Sequence, residues 1–204
     1  MTPWVLLPIK SIDLGKSRIA VWLAPEARRQ LNRELLQRSL ELLRAYPGLA
    51  HTCVISPCAE VLAIAGEAGA TVIEQQGDGL NEAVRQALAA PITSAQVAPD
   101  RKVLILSGDL PFATQHDLRA LVSSGEDVVI ATDRAEQGTN AICLPYQYVR
   151  QFNFQYGPGS CALHMAAASA LGLTFRVQLR HGLAFDIDTW RDCLDWQQTE
   201  RLTA

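Results

Sequence analysis

An α/β domain built on a mixed, mostly parallel sheet with helices on both faces is the fold class this sequence predicts. Three observations lead to it. Short runs rich in Val, Ile and Leu alternate with longer segments of helical period. The runs are apolar throughout and do not alternate, as expected of strands buried on both faces. With 204 residues, 49% of them hydrophobic and 19% charged, the chain can fill one substantial core, so residues 1–204 are read as a single domain.

Trp4 to Ile9 reads as the first buried strand, and it runs into KSIDLGKSRIA. That loop puts Lys10, Lys16 and Arg18 within nine residues, in a chain that has fifteen Arg and only three Lys. It reads equally as a solvated loop and as a grip on a polyphosphate at a strand's carboxyl end. Gly15-Lys16-Ser17 is not a P-loop, because Lys10 stands where that pattern needs its first glycine. Pro25 opens a helix through Arg44 with a wide leucine face. Thr52–Ser56 is the second strand, Pro57 to Ala68 a helix and Thr71–Glu74 the third strand. Gly77 and Gly79 then give a tight turn, and Asn81 is a candidate cap for a helix through Ala90. The functional reading of this turn is that Gly79 and Asn81 face a base and ribose. Ala90 to Asp100, with two prolines and no period, is taken as a surface connection.

Val103 to Ser107 is the next buried strand, and Asp109 sits just past its carboxyl end, where open α/β sheets bind ligands. A carboxylate fixed there by Gly108 and Pro111 either makes a turn or holds a metal ion. A short helix at His116–Ser124 and a strand at Asp127–Thr132 follow. Gly138 and Thr139 turn into a strand at Ala141–Leu144, with the Thr139 hydroxyl available to a carboxylate or phosphate. The turn FQYGPGS, containing Gly157, leads to Ser160 as a candidate cap of an alanine-rich helix, a second anion site. His164 reads as a packed or hydrogen-bonded histidine, since no second histidine has metal spacing. After a strand at Thr174–Leu179, Asp186 and Asp188 lie two apart, so in an extended segment both face the same way. That spacing suits a shared divalent cation; the alternative is that Asp188 caps the helix from Thr189.

A net charge of -3 with no basic stripe argues against a nucleic-acid or membrane-surface partner. Five cysteines, an odd number with no close pair, argue against a disulfide framework or zinc site and for a reducing compartment. The amino terminus lacks a basic flank before its short apolar run, so a cytoplasmic location is expected.

Taken in order, LLPIKSIDLGKSRIA, GDGLNEAV, LSGDLP, GTNAI, FQYGPGSCALH and FDIDTWRD resemble the guanylyltransferases of coenzyme F(420) biosynthesis over nearly the whole chain. These enzymes act on 2-phospho-L-lactate, phosphoenolpyruvate or 3-phospho-D-glycerate. The resemblance implies a three-layer αβα fold of the nucleotide-diphospho-sugar transferase type, which is Rossmann-like. It implies that Asp109, Asp186 and Asp188 hold magnesium, and that Thr139, Gly157 and Ser160 bind the phosphorylated acid. Lys10, Lys16 and Arg18 would hold the GTP phosphates, with Lys16 and Asp109 at the reacting centre and Gly79 and Asn81 toward the nucleoside. Members are often homodimers. Two alternatives stay open: a molybdopterin or sugar-phosphate nucleotidyltransferase, whose glycine-rich loop after the first strand is replaced here by proline and lysine, and a non-catalytic nucleotide-binding module.

Overall fold

The computed structural model describes residues 2–13, 16–90 and 98–203. Gly15 of the Gly-Lys-Ser stretch and most of the expected connection from Ala90 to Asp100 lie outside them. Among the described residues, seven strands form one sheet: β1 (Trp4–Pro8), β2 (Thr52–Ser56), β3 (Thr71–Glu74), β4 (Lys102–Leu106), β5 (Val128–Thr132), β6 (Thr139–Pro145) and β7 (Phe175–Gln178). Their spatial order is β3-β2-β1-β4-β6-β5-β7. The pairs β1·β2, β2·β3, β1·β4 and β5·β7 are parallel, and β6 runs antiparallel to both its neighbours. The reversal follows from chain length. Only residues 133–138 separate β5 from β6, too few for a crossover back to a parallel start.

Among the described residues there are seven α-helices: α1 (Pro25–Ala45), α2 (Ala59–Glu67), α3 (Leu80–Ala89), α4 (Gln115–Val122), α5 (Ser160–Ala170), a short α6 (His181–Ala184) and α7 (Trp190–Thr203). Successive strand residues face opposite layers, as the two-residue period requires. Leu6, Ile55, Ile105 and Ile130 pack beneath α3 and α5. Leu7, Val54, Leu104 and Val129 pack beneath α1, α2 and α4. Fully burying such side chains contributes about 1.5–3 kcal/mol each, so apolar character at every strand position is what a sheet covered on both faces demands. A third cluster, including Ile19, Leu35, Phe185, Ile187 and Trp196, fastens α7 and the end of the first loop to α1.

Two predicted caps are corrected. Gly79 (φ 88) and Gly159 (φ 71) occupy the cap positions of α3 and α5, where the chain turns through positive φ, so Asn81 and Ser160 fall inside their helices. All five cysteines are free thiols, and no helix among the described residues is long and apolar enough to cross a membrane.

Candidate active site

The carboxyl ends of β1, β2, β3 and β4 and the amino end of β6 open onto one cleft of about 560 Å³, a size suited to a small-molecule ligand. Of the residues singled out from sequence, Lys10, Lys16, Arg18, Gly79, Asp109, Thr139 and Asp188 line it. Asn81, Gly157, Ser160 and Asp186 are not lining residues. Asn81 accepts from the Tyr156 backbone N–H at 2.7 Å and donates to the Tyr156 carbonyl at 3.0 Å, so it ties two glycine-rich loops together. Ser160 is buried at the first turn of α5, its backbone N–H bonded to the Gly157 carbonyl.

Asp109 is held at the centre. A Cβ on Gly108 would come within 2.1 Å of Ile9 Cδ1, so the glycine lets β4's exit pass close beside β1. The Ser107 hydroxyl donates to Asp109 Oδ1 at 2.9 Å, and the Lys16 ammonium donates to Oδ2 at 2.5 Å. The Asp109 carbonyl accepts from Ile187 N–H at 3.2 Å, which draws the Asp186–Asp188 segment alongside. Ile187 is fully buried, so Asp186 and Asp188 on either side both turn the other way. Lys16 Nζ is 3.9 Å from Asp188 Oδ1, and Arg18 Nη1 donates to Asp188 Oδ2 at 3.0 Å. Lys16 has φ 59, a left-handed conformation of the kind that strained functional loops carry.

The charges respond to one another. Burial alone would raise the Asp109 carboxyl, but the Lys16 ammonium and the Ser107 hydroxyl outweigh it and hold it below the usual range. Asp186 goes the other way, to about 6, through burial first and then through the negative charges of Asp109 and Asp188. Among the described residues, no three carboxylate, imidazole or thiol side chains form a ready chelating cluster, and the Lys16 ammonium is what joins Asp109 to Asp188.

Residues 3–196 match the protein family described as Guanylyl transferase CofC like. A phosphoenolpyruvate guanylyltransferase from Sphaerobacter thermophilus is 36% identical over 195 residues, which cover 94% of this chain and 91% of that protein. The chain belongs to the CofC-like guanylyl transferase family. A 3-phospho-D-glycerate guanylyltransferase from Phenylobacterium zucineum is 32% identical, with 89% of this chain and 83% of that protein covered. In fold, this CofC-like chain is similar to a protein described as a nucleotide-diphospho-sugar transferase from Desulfovibrio desulfuricans G20. The TM-score is 0.75 at 15% identity, covering 98% and 88% of the two chains. The three-layer arrangement that the sequence implied is the one found.

Several residues that position the site were not singled out from sequence. In place of Asp188, Thr189 caps α7: Asp192 N–H donates to the Thr189 hydroxyl at 3.3 Å. The Asp192 carboxylate accepts from Thr189 N–H at 2.6 Å and from Asp188 N–H at 3.0 Å, so the cap also fixes the acidic pair. The T-x-x-D spacing was the available signal. Gln75 donates to the carbonyls of Gly77 and Gly79, both at 3.1 Å, and so closes the glycine turn. Asn140, at the start of β6, donates to the Leu183 carbonyl at 2.9 Å.

Proposed function

We propose that this CofC-like chain transfers GMP from GTP to the phosphate of a small phosphorylated carboxylic acid, releasing pyrophosphate, in coenzyme F(420) biosynthesis. Phosphoenolpyruvate is the first choice, with 3-phospho-D-glycerate and 2-phospho-L-lactate as the other acceptors. The observation that carries the reading is the juxtaposition of Asp109, Asp188, Lys16 and Arg18 in one cleft with Thr139.

An acceptor phosphate is largely dianionic at neutral pH, its second pKa being about 6, so its oxygen can bond to the α-phosphorus of GTP without a general base. The bond from that phosphorus to the bridging oxygen breaks as it forms, and the electron pair leaves with pyrophosphate. Lys10, Lys16 and Arg18 offset the charge gathering on the triphosphate. The α3 amino terminus, with no side-chain cap, turns unpaired amides toward the glycine loop where the nucleotide would lie. Thr139 offers a hydroxyl to the acid, and Gly157 and Ser160 shape the turn behind it.

The donor chemistry suits magnesium: Asp109, Asp186 and Asp188 offer only carboxylate oxygens, and Asp109 and Asp188 are brought together on the Lys16 ammonium. Bound by Asp109, Asp186 and Asp188, Mg²⁺ would supply charge neutralisation on the phosphates. Five free thiols support a reducing, cytoplasmic setting. The test is pyrophosphate release with each of the four nucleoside triphosphates against the three acids, the product being weighed by mass spectrometry. GTP-dependent release with one acid is expected. No GTP-dependent signal with any of the three would overturn the proposal.

A further inference from the structure

His164 is fully buried on α5, yet both its ring nitrogens are engaged. Nε2 lies 3.1 Å from the backbone N–H of Gln155, and Nδ1 lies 2.9 Å from the Thr139 hydroxyl oxygen. A backbone N–H can only donate, so Nε2 must be the bare, accepting nitrogen. A neutral imidazole then carries its one proton on Nδ1. Burial pushes the imidazole down to about 4, so the ring is neutral at the pH where the enzyme would work.

The consequence falls on Thr139. Its oxygen accepts from Nδ1–H, so its own hydrogen cannot point at the histidine. Among the described residues no acceptor takes that hydrogen, and Thr139 lines the cleft. We propose that His164 is a positioning residue that, as the Nδ1–H tautomer, forces the Thr139 hydroxyl to donate into the cleft, toward an anionic oxygen of the phosphorylated acid. The Phe152, Phe154 and Tyr156 rings surround the imidazole, with centroids 6.0, 6.2 and 4.9 Å away, and keep water from supplying a competing partner. The device gives the acceptor pocket a fixed donor with no added charge, which favours an anion over a neutral group in the same place.

The inference rests on the reading of Thr139 as a contact to the acid, and its test separates the two. Long-range proton–nitrogen spectra of ¹⁵N-histidine-labelled protein, assigned by the signal missing from His164→Asn, should give a protonated-type Nδ1 and a bare-type Nε2 at neutral pH. The opposite tautomer would overturn the proposal whatever the substrate. In steady-state kinetics, Thr139→Val should raise the KM for the acid about 10- to 100-fold, as expected for losing a hydrogen bond to a charged group. His164→Leu should raise it by a smaller factor of several-fold, because the hydroxyl remains but is no longer fixed, with the KM for GTP unchanged in both. His164→Asn, which keeps a donor near the Nδ1 position, should recover most of that loss. Adding His164→Leu to Thr139→Val should cost nothing more. Equal damage to both KM values, or additive damage in the double variant, would assign His164 a packing role only. A wild-type enzyme inactive on all three acids would instead remove the functional reading and leave the tautomer result standing.

Discussion

Asp186→Asn should make the metal-free protein more stable while disabling it. The Asp186 carboxyl is raised from the ordinary 3.8 to about 6 by burial and by Asp109 and Asp188. A carboxyl whose native pKa exceeds its unfolded one favours folding when protonated, and that advantage is lost as pH rises through the native value. At about 1.4 kcal/mol per tenfold, the rise corresponds to about 3 kcal/mol lost above pH 6 and almost nothing lost below the unfolded value. An asparagine keeps the shape without the charge. Urea unfolding in the presence of a chelator should therefore find the variant about 2–3 kcal/mol more stable at about pH 7.5, with the gain shrinking below about 1 kcal/mol near pH 4. In a chain of this length that is a rise in Tm of about 4–10 °C at neutral pH. Turnover should fall sharply in the same variant, the exchange expected where a binding site stores like charge for its ligand. A variant no more stable than wild type at neutral pH, or one equally stabilised at both pH values, would refute the reading that burial and the neighbouring carboxylates make an ionised Asp186 costly.

Removing Lys16 should act in the opposite sense: Lys16→Met leaves Asp109 and Asp188 without their bridging ammonium, so metal-free stability at neutral pH should fall. Adding Asp186→Asn should restore part of it, and kcat should drop about 10²–10³-fold, as for losing one preorganised charge partner. Asp192→Ala removes the α7 capping box, the ion pair with Arg134 and the anchor on Asp188 N–H, and should cost about 1–2 kcal/mol by chemical unfolding together with a measurable loss of kcat/KM. Burial would raise Asp117, but Thr114 and Arg180 hold it below the usual carboxyl range. The stability it contributes is complete above the unfolded carboxyl value of about 3.9 and is lost as pH falls toward its lower native value, so Asp117→Asn should flatten the acid limb of the unfolding curve.

The elements that could be read from the chain are those whose signal is local. Thr52–Ser56 and Thr71–Glu74 have the strand boundaries that their β-branched runs imply, since each is stopped by a proline or a glycine turn nearby. The Asp186–Ile187–Asp188 alternation likewise placed both carboxylates on one side of an extended segment. Cap assignments failed where residue type and backbone need diverge. Asn81 and Ser160 are good capping side chains, but the preceding turns required positive φ, which Gly79 and Gly159 adopt at low cost. The Lys16–Asp109 pair spans 93 positions of sequence and the Thr139–His164 pair 25, and nothing periodic marks either. Such partners are chosen by the sheet order, which brings β1, β4 and β6 side by side.

That order also explains why the Thr139 side of the cleft is built from the beginning of a strand. β4 ends at Leu106 opposite Ala141, so an antiparallel β6 brings Thr139 and Asn140 level with Ser107 and Asp109, and Ser107 N–H bonds the Asn140 carbonyl at 2.8 Å. A parallel strand in the same place would have offered its carboxyl end, reached only after a long crossover. Thr139 and Asn140 turn to opposite faces, the first to His164 on α5 and the second to Leu183 in the cluster beneath α1, α2 and α4, and both line the cleft. The β5·β6 register sets which face each one takes. Ala131 pairs with Ala141 but Thr132 pairs with Thr139, so Asn140 is the extra residue of a bulge. A bulge twists the strand and re-aims its side chains. Here it frees Asn140 to hold the Leu183 carbonyl while Thr139 keeps its hydroxyl between His164 and the cleft. The Thr139 side of the cleft thus rests on a single irregular residue pairing, and Asp109 across the gap follows Gly108, beside which the Ile9 side chain packs. Both are places where the regular sheet gives way, and both open onto the same cleft.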